Sequence, residues 1–198
     1  MNKTYQDLKS LSHAKGFQFF ENGDFDLNIY FERQTNAIDN KFGCLWHIAY
    51  KHDGIETVRT VPANSKPGMN KGIISMVCPG QYLHAYKWIA VNPNPTKEYP
   101  FNKEFFQLQI NLPIWLGKDG VIDFGRKVLT TPQLGTNIHK QSREGQHIEF
   151  VNNWSLACLG AIEPEFDLQI PIIEQAVKTK GDIFSITIFE SKDWQLIN

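Results

Sequence analysis

The residues equipped for covalent chemistry lie in one stretch, Gly135 to Gly160, which reads GTNIHKQSREGQHIEFVNNWSLACLG. His139 stands in an apolar-flanked segment, and Cys158 follows nineteen positions later, at the end of the run Trp154-Ser155-Leu156-Ala157-Cys158. An imidazole and a thiol are the two parts of a cysteine acyl-transfer site: the imidazole takes the thiol proton and later gives it to the leaving group. A free thiol titrates at about 8.5, so little of it is nucleophilic thiolate at neutral pH unless a neighbour helps. His139 is the candidate helper. A tight loop before Cys158 would also aim the backbone N–H groups of Ala157 and Cys158 at a developing oxyanion, worth roughly 3 kcal/mol per donor. The competing description of Cys158 is a small buried hydrophobe, the usual state of a free cysteine. His147, between the two, reads as a loop residue.

These groups need a scaffold, and the patterning predicts a β-rich one with a few helices. Thr4 and Asp7 resemble a capping box opening a helix to about residue 15, with Tyr5, Leu8 and Leu11 on one face to pack on a sheet. From Phe25, alternation of Phe25, Leu27, Ile29 and Phe31 with polar residues predicts a half-buried strand. Asp53-Gly54 between CLWHIAYK and ETVRTV is a strong hairpin signal. His47 and His52, in or beside that hairpin, read as surface or strand-packing residues. Pro79-Gly80 predicts a turn between a strand at 73–77 and one ending at Val91, along which Tyr82, His84 and Tyr86 alternate onto one face that either lines a cleft or meets solvent. NPNPTKEYPF is an ordered loop. Lys118-Asp119-Gly120 marks another turn before a short VIDF strand. Pro171 opens a helix to about Thr179, and DIFSITIFE forms a last strand. No repeat or linker divides the 198 residues, which predicts a single domain with residues 1–16 as an N-terminal helix and 24–190 as its core.

Bulk properties narrow the partners. A net charge of −1 gives no field favouring nucleic acid or an anionic membrane. No apolar run reaches the roughly 18 residues of a membrane span, so membrane insertion is not expected, and the N-terminal residues lack a signal-peptide core. Synthesis in the cytoplasm is therefore expected. Cys44, Cys78 and Cys158 are odd in number and widely spaced, which argues against a disulfide framework or a zinc knuckle, and no metal or cofactor is expected.

His139, fifteen intervening residues and then Ser155-Leu156-Ala157-Cys158 resemble the H-x(14 to 17)-[S/T]-H-G-C signature of the L,D-transpeptidase catalytic domain. Asn137-Ile138-His139 and the Trp154 to Cys158 run look most like short phage-type and bacterial relatives with an N-I-H segment before W-S-x-G-C. VCPGQYLHAY and FDLNIYFERQ also look like parts of that pattern, which extends the likeness from about residue 24 to 190. Leu156 and Ala157 stand where the signature has His and Gly, and Lys140 where Gly follows the His. The resemblance implies a sandwich- or barrel-like β domain acting on peptidoglycan stem peptides, with Cys158 as nucleophile and His139 as base and acid. In that reading Ser155 orients the loop, and Tyr82, His84, Trp154 and Ala157 contact substrate. Such an enzyme made without an export signal would reach the wall through phage lysis. The departures at Leu156 and Ala157 are compatible with a second expectation, a catalytically silent wall-binding or virion-associated protein on the same fold.

Overall fold

The computed structural model describes residues 3–34, 40–68, 72–91, 104–130, 136–142, 148–151, 155 and 157–197. Eleven strands are described among them: β1 (Asn28–Arg33), β2 (Cys44–His52), β3 (Ile55–Ala63), β4 (Ile73–Val77), β5 (Gly80–Ile89), β6 (Phe105–Leu108), β7 (Pro113–Lys118), β8 (Val121–Leu129), β9 (Ile138–Lys140), β10 (Leu159–Ala161) and β11 (Ile183–Glu190). Helices α1 (Tyr5–Ala14), α2 (Glu163–Asp167) and α3 (Ile170–Lys180) and a 3-10 helix (Ser191–Leu196) accompany them. The protein is thus mainly β with a few helices. The large sheet runs β10-β9-β6-β5-β11-β1-β2-β3, and β4, β7 and β8 form a small second sheet. The two edges of the large sheet meet where Asn64, just past β3, pairs with Gly160 of β10, with N–H to O distances of 2.7 and 3.0 Å in the two directions. That bridge nearly closes a barrel and leaves little open edge there.

Local chemistry accounts for several elements. Thr4 caps α1, its hydroxyl accepting from Asp7 N–H at 3.1 Å while the Asp7 carboxylate accepts from Thr4 N–H at 2.9 Å. Both turn residues of the β2–β3 hairpin have positive φ, 50° at Asp53 and 74° at Gly54, as a tight hairpin requires. Asp119 and Gly120 do the same between β7 and β8.

Other expectations change. The strand expected from Phe25 starts at Asn28, because Phe25 adopts a turn conformation with φ 54°. All six residues of β1 are buried, so it is not half-solvated. One face meets the barrel core through Ile29 and Phe31; the other lies under Tyr5, Leu8 and Leu11 of α1 and Trp194 of the 3-10 helix. The last strand, β11, is internal, parallel to β1 and antiparallel to β5. β5 ends at Ile89 rather than Val91, and β8 runs through the GRKVL segment instead of stopping after VIDF. The loop NPNPTKEYPF lies outside the described residues apart from Val91 before it.

The barrel interior is aromatic at its centre, with Trp46 packed on Phe31, Phe106 and Phe166 at ring separations of 5.5, 6.4 and 5.3 Å. At Gly160 no side chain fits: a Cβ there would lie 1.9 Å from the His139 carbonyl oxygen, at a φ of +154°. Gly160→Ala is expected to abolish cooperative thermal unfolding of the native state. Gly120→Ala, with open space around the added methyl, should cost only the strain of positive φ, about 1–2 kcal/mol. A G160A protein melting with the wild type by circular dichroism would refute this requirement.

Candidate active site

The thiol and imidazole come together on neighbouring parallel strands. Ile138 and Leu159 are paired in register and fully buried, so each strand is anchored inward at that point. Period-two alternation then turns His139 and Gly160, also paired, to the other face. Cys158 sits one residue before β10, within side-chain hydrogen-bonding contact of the His139 ring. Both side chains keep a partly exposed edge.

The ring is oriented by its own backbone. His139 Nδ1 lies 2.6 Å from the Lys140 carbonyl oxygen, so Nδ1 carries a proton and donates it, leaving Nε2 for the thiol. This carbonyl takes the place that a carboxylate fills in many nucleophile–imidazole sites. Lys140 itself is turned away and buried, its ammonium 2.6 Å from Asp167 and 3.5 Å from Glu104.

Asn137 secures the thiol from the other side. Its backbone N–H donates to the Cys158 sulfur, its carbonyl accepts from Leu159 N–H at 3.0 Å, and its side-chain oxygen accepts from Leu108 N–H at 3.1 Å. Tyr86, fully buried, donates from its hydroxyl to the Thr136 carbonyl at 3.0 Å and so holds the start of this segment. The Cys158 carbonyl is gripped by two donors, Ser155 Oγ at 2.7 Å and Gln141 Nε2 at 3.1 Å. The Ser155 carbonyl in turn accepts from Gly68 N–H at 2.9 Å, tying the loop to the segment after β3.

Charge follows from these contacts. Burial, the largest influence on either group, disfavours ionising both the thiol and the ring. Their mutual attraction and shared hydrogen bond outweigh it, helped by Asn137 N–H on the sulfur and the Lys140 carbonyl on the ring. The Cys158 thiol is lowered and the His139 imidazole raised, both shifts in the direction that favours thiolate and imidazolium.

The structure brings Cys158, His139 and Ser155 together, with Ala157 half-buried next to the thiol. Trp154, Leu156 and His147 lie outside the described residues. The single ring-bearing face expected along Tyr82, His84 and Tyr86 is not formed, because the pairing of β5 with β11 slips between Phe184 and Ile186 and His84 takes a φ of 51°. Tyr86 enters the core, and Tyr82 donates to the Cys78 carbonyl at 2.5 Å. His84 opens instead into a cavity of about 320 Å³ shared with Phe25, Asp26 and Lys180, whose walls include neither Cys158 nor His139. Sequence reasoning passed over Gln141 and the backbone of Asn137, although both lie within a few residues of His139; an amide side chain and a main-chain N–H carry no chemical signature until a sulfur is placed beside them.

A cavity of about 250 Å³ is lined by Lys66, Pro67, Gly68, Met76, Val121 and Phe124 among others; Gly68 links it to Ser155, but its lining includes neither Cys158 nor His139. Val121 and Phe124 are among the most exposed large apolar residues described. For metals, the described residues offer Asp24, His52 and Asp53, whose ligand atoms lie within 4.8 Å of one another at the β2–β3 turn. Asp24 already accepts from Asp53 N–H there at 2.8 Å, and the group belongs to the turn rather than to the thiol site.

Comparison of the chain with family models, curated proteins and solved structures finds no match in any of the three.

The pair makes a testable claim about pH. A lowered thiol keeps its thiolate, and thus its reactivity, as pH falls below the usual thiol range, and loses it only on passing the lowered value. Iodoacetamide should therefore modify Cys158 rapidly at about pH 7, whereas in His139→Gln the rate should fall and regain speed only toward about pH 8.5. Gln141→Leu, which leaves Ser155 as the remaining side-chain donor described on the Cys158 carbonyl, should loosen the loop by about 1 kcal/mol and give an intermediate rate. Identical pH profiles for wild type and H139Q would overturn the assignment.

Proposed function

We propose that the protein is a cysteine acyl-transferase or peptidase acting on peptidoglycan stem peptides. The observation that carries the chemistry is the hydrogen-bonded Cys158–His139 pair, with Nδ1 of the ring committed to the Lys140 carbonyl. The substrate class rests on the resemblance of the Asn137-Ile138-His139 and Trp154 to Cys158 segments to the L,D-transpeptidase signature.

In this reading the Cys158 thiolate adds to the carbonyl carbon of the residue preceding the terminal D-amino acid. The tetrahedral intermediate collapses with cleavage of the C–N bond, and the imidazolium of His139 protonates the departing amine. The acyl group is left on sulfur as a thioester. Water or an acceptor amine then adds to it, delivering a proton to His139 Nε2, and the thiolate is released. Water yields hydrolysis; an amine yields a cross-link.

Incubation of the protein with muropeptides should shift their masses by loss of the terminal residue or by joining two stems. Cys158→Ala should leave them unchanged, and His139→Gln should slow turnover by at least about a hundredfold. Muropeptides altered equally by wild type and C158A, or by neither, would exclude the reading; unaltered muropeptides that nevertheless retain the protein on sedimented cell walls would identify a silent wall-binding protein instead.

A further inference from the structure

We propose that Thr60, His47 and Glu32 form a second acyl-transfer centre, independent of Cys158, which hydrolyses small carboxylic esters. The three residues lie on β3, β2 and β1, on the face of the sheet turned away from the barrel core, since their neighbours Val61, Trp46 and Phe31 point inward. His47 is paired in register with Thr60 on one side and with Tyr30 on the other, and Glu32 lies two residues beyond Tyr30 on the same face. The resulting diagonal is continuous: His47 Nδ1 is 2.8 Å from Thr60 Oγ1, and His47 Nε2 is 3.1 Å from Glu32 Oε2.

The direction of the hydrogen bonds follows from the carboxylate. Burial works against ionising Glu32, but a hydrogen bond from His47 and attraction to it, with hydrogen bonds from Trp194 and Gln34, prevail and hold it below the usual carboxylate range. An ionised carboxylate only accepts, so His47 Nε2 carries a proton. With the ring in the Nε2-protonated tautomer, Nδ1 accepts from the Thr60 hydroxyl across 2.8 Å. Hydroxyl, imidazole and carboxylate stand in the polarity that activates an oxygen nucleophile, with the two ring nitrogens exchanged relative to the usual order.

Access is also arranged. His47 is fully buried and stacked beside Phe189, and Glu32 is buried, whereas Thr60 is exposed. Thr60 lines a cavity of about 490 Å³ with Lys3, Gln34, Leu45, Ser191 and Trp194. The Lys3 ammonium is held 3.9 Å above the Trp194 ring, a fixed positive charge in the same wall for the oxygen that becomes anionic. Leu45 and the Trp194 ring supply apolar surface for an acyl chain.

Thr60 Oγ1 adds to the ester carbonyl carbon as its proton passes to His47 Nδ1. Collapse breaks the ester C–O bond, and the departing alkoxide takes that proton and leaves as the alcohol. Water then adds to the acyl-threonine and gives a proton to Nδ1, and collapse returns the proton to Thr60 Oγ1 as the carboxylic acid departs. The sum is ester plus water to acid plus alcohol.

The test uses the full chain carrying Cys158→Ala, so that the thiol contributes nothing, with para-nitrophenyl acetate as probe. C158A should release nitrophenolate faster than buffer. Adding Thr60→Val, which keeps the shape of an exposed β-branched residue, should lower the rate at least about tenfold at an unchanged melting temperature. Acid-quenched C158A should carry an acetyl group on the peptide containing Thr60. Release no faster than buffer, equal rates for C158A with and without T60V, or an acetyl group found elsewhere would each overturn the proposal. The muropeptide assay reads the Cys158 centre separately, so either reading can fail without the other.

Discussion

Closure of the barrel at Gly160 is the constraint on which the rest of the architecture depends. Three backbones converge there: β10 pairs in parallel with β9, accepts the antiparallel bridge from Asn64, and approaches the His139 carbonyl too closely for any side chain. The same approach sets the offset between Cys158 and His139, because the residue before Gly160's inward neighbour is the one that lands beside the ring. Fold closure and site geometry are therefore one event. A looser seam would separate the thiol from its base, and misplacement by an ångström is enough to cost an acyl-transfer site much of its rate.

The seam is held by what lies behind it. Ile138 and Leu159 enter a core built round Trp46, Trp88, Phe106 and Phe166, and dense aromatic packing of this kind tolerates little displacement. On the opposite side of β1 and β2, α1 and the 3-10 helix cover Tyr30, Ala49 and Phe189, and Ser12 and Tyr30 share a buried hydrogen bond of 2.7 Å. That cover makes the outer sheet face an interior, and polar groups placed on it must find partners within the protein.

The buried His47 and the half-buried His139 are held in the same way. In each, one nitrogen is committed to an acceptor that fixes the tautomer, the Lys140 carbonyl for His139 and the Glu32 carboxylate for His47. The other nitrogen then faces a side chain able to act as a nucleophile, Cys158 in one case and Thr60 in the other. The difference lies in acidity: a thiol ionises far more readily than a hydroxyl.

The sequence by itself determined the local elements and singled out the thiol and imidazole that the fold brings into contact. The Thr4 to Asp7 cap, the Asp53-Gly54 turn and the helix after Pro171 are set by backbone chemistry within a few residues, and Cys158 and His139 stand out because few side chains have their reactivity. Period-two patterning also marked the core face of the strands, but it could not report that a helix packed over β1 would bury its second face, since that depends on residues distant in the chain. Nor could it anticipate the slipped register at His84, which parts His84 from Tyr82 and Tyr86, both of which pack on the barrel core. Tertiary structure alone decided that Glu32, His47 and Thr60 meet on three strands, that Gln141 and Asn137 serve Cys158, and that the Lys140 carbonyl orients His139. Those roles belong to strand register and to backbone groups common to every residue, and they acquire meaning only when the folded chain sets a particular partner within hydrogen-bonding distance.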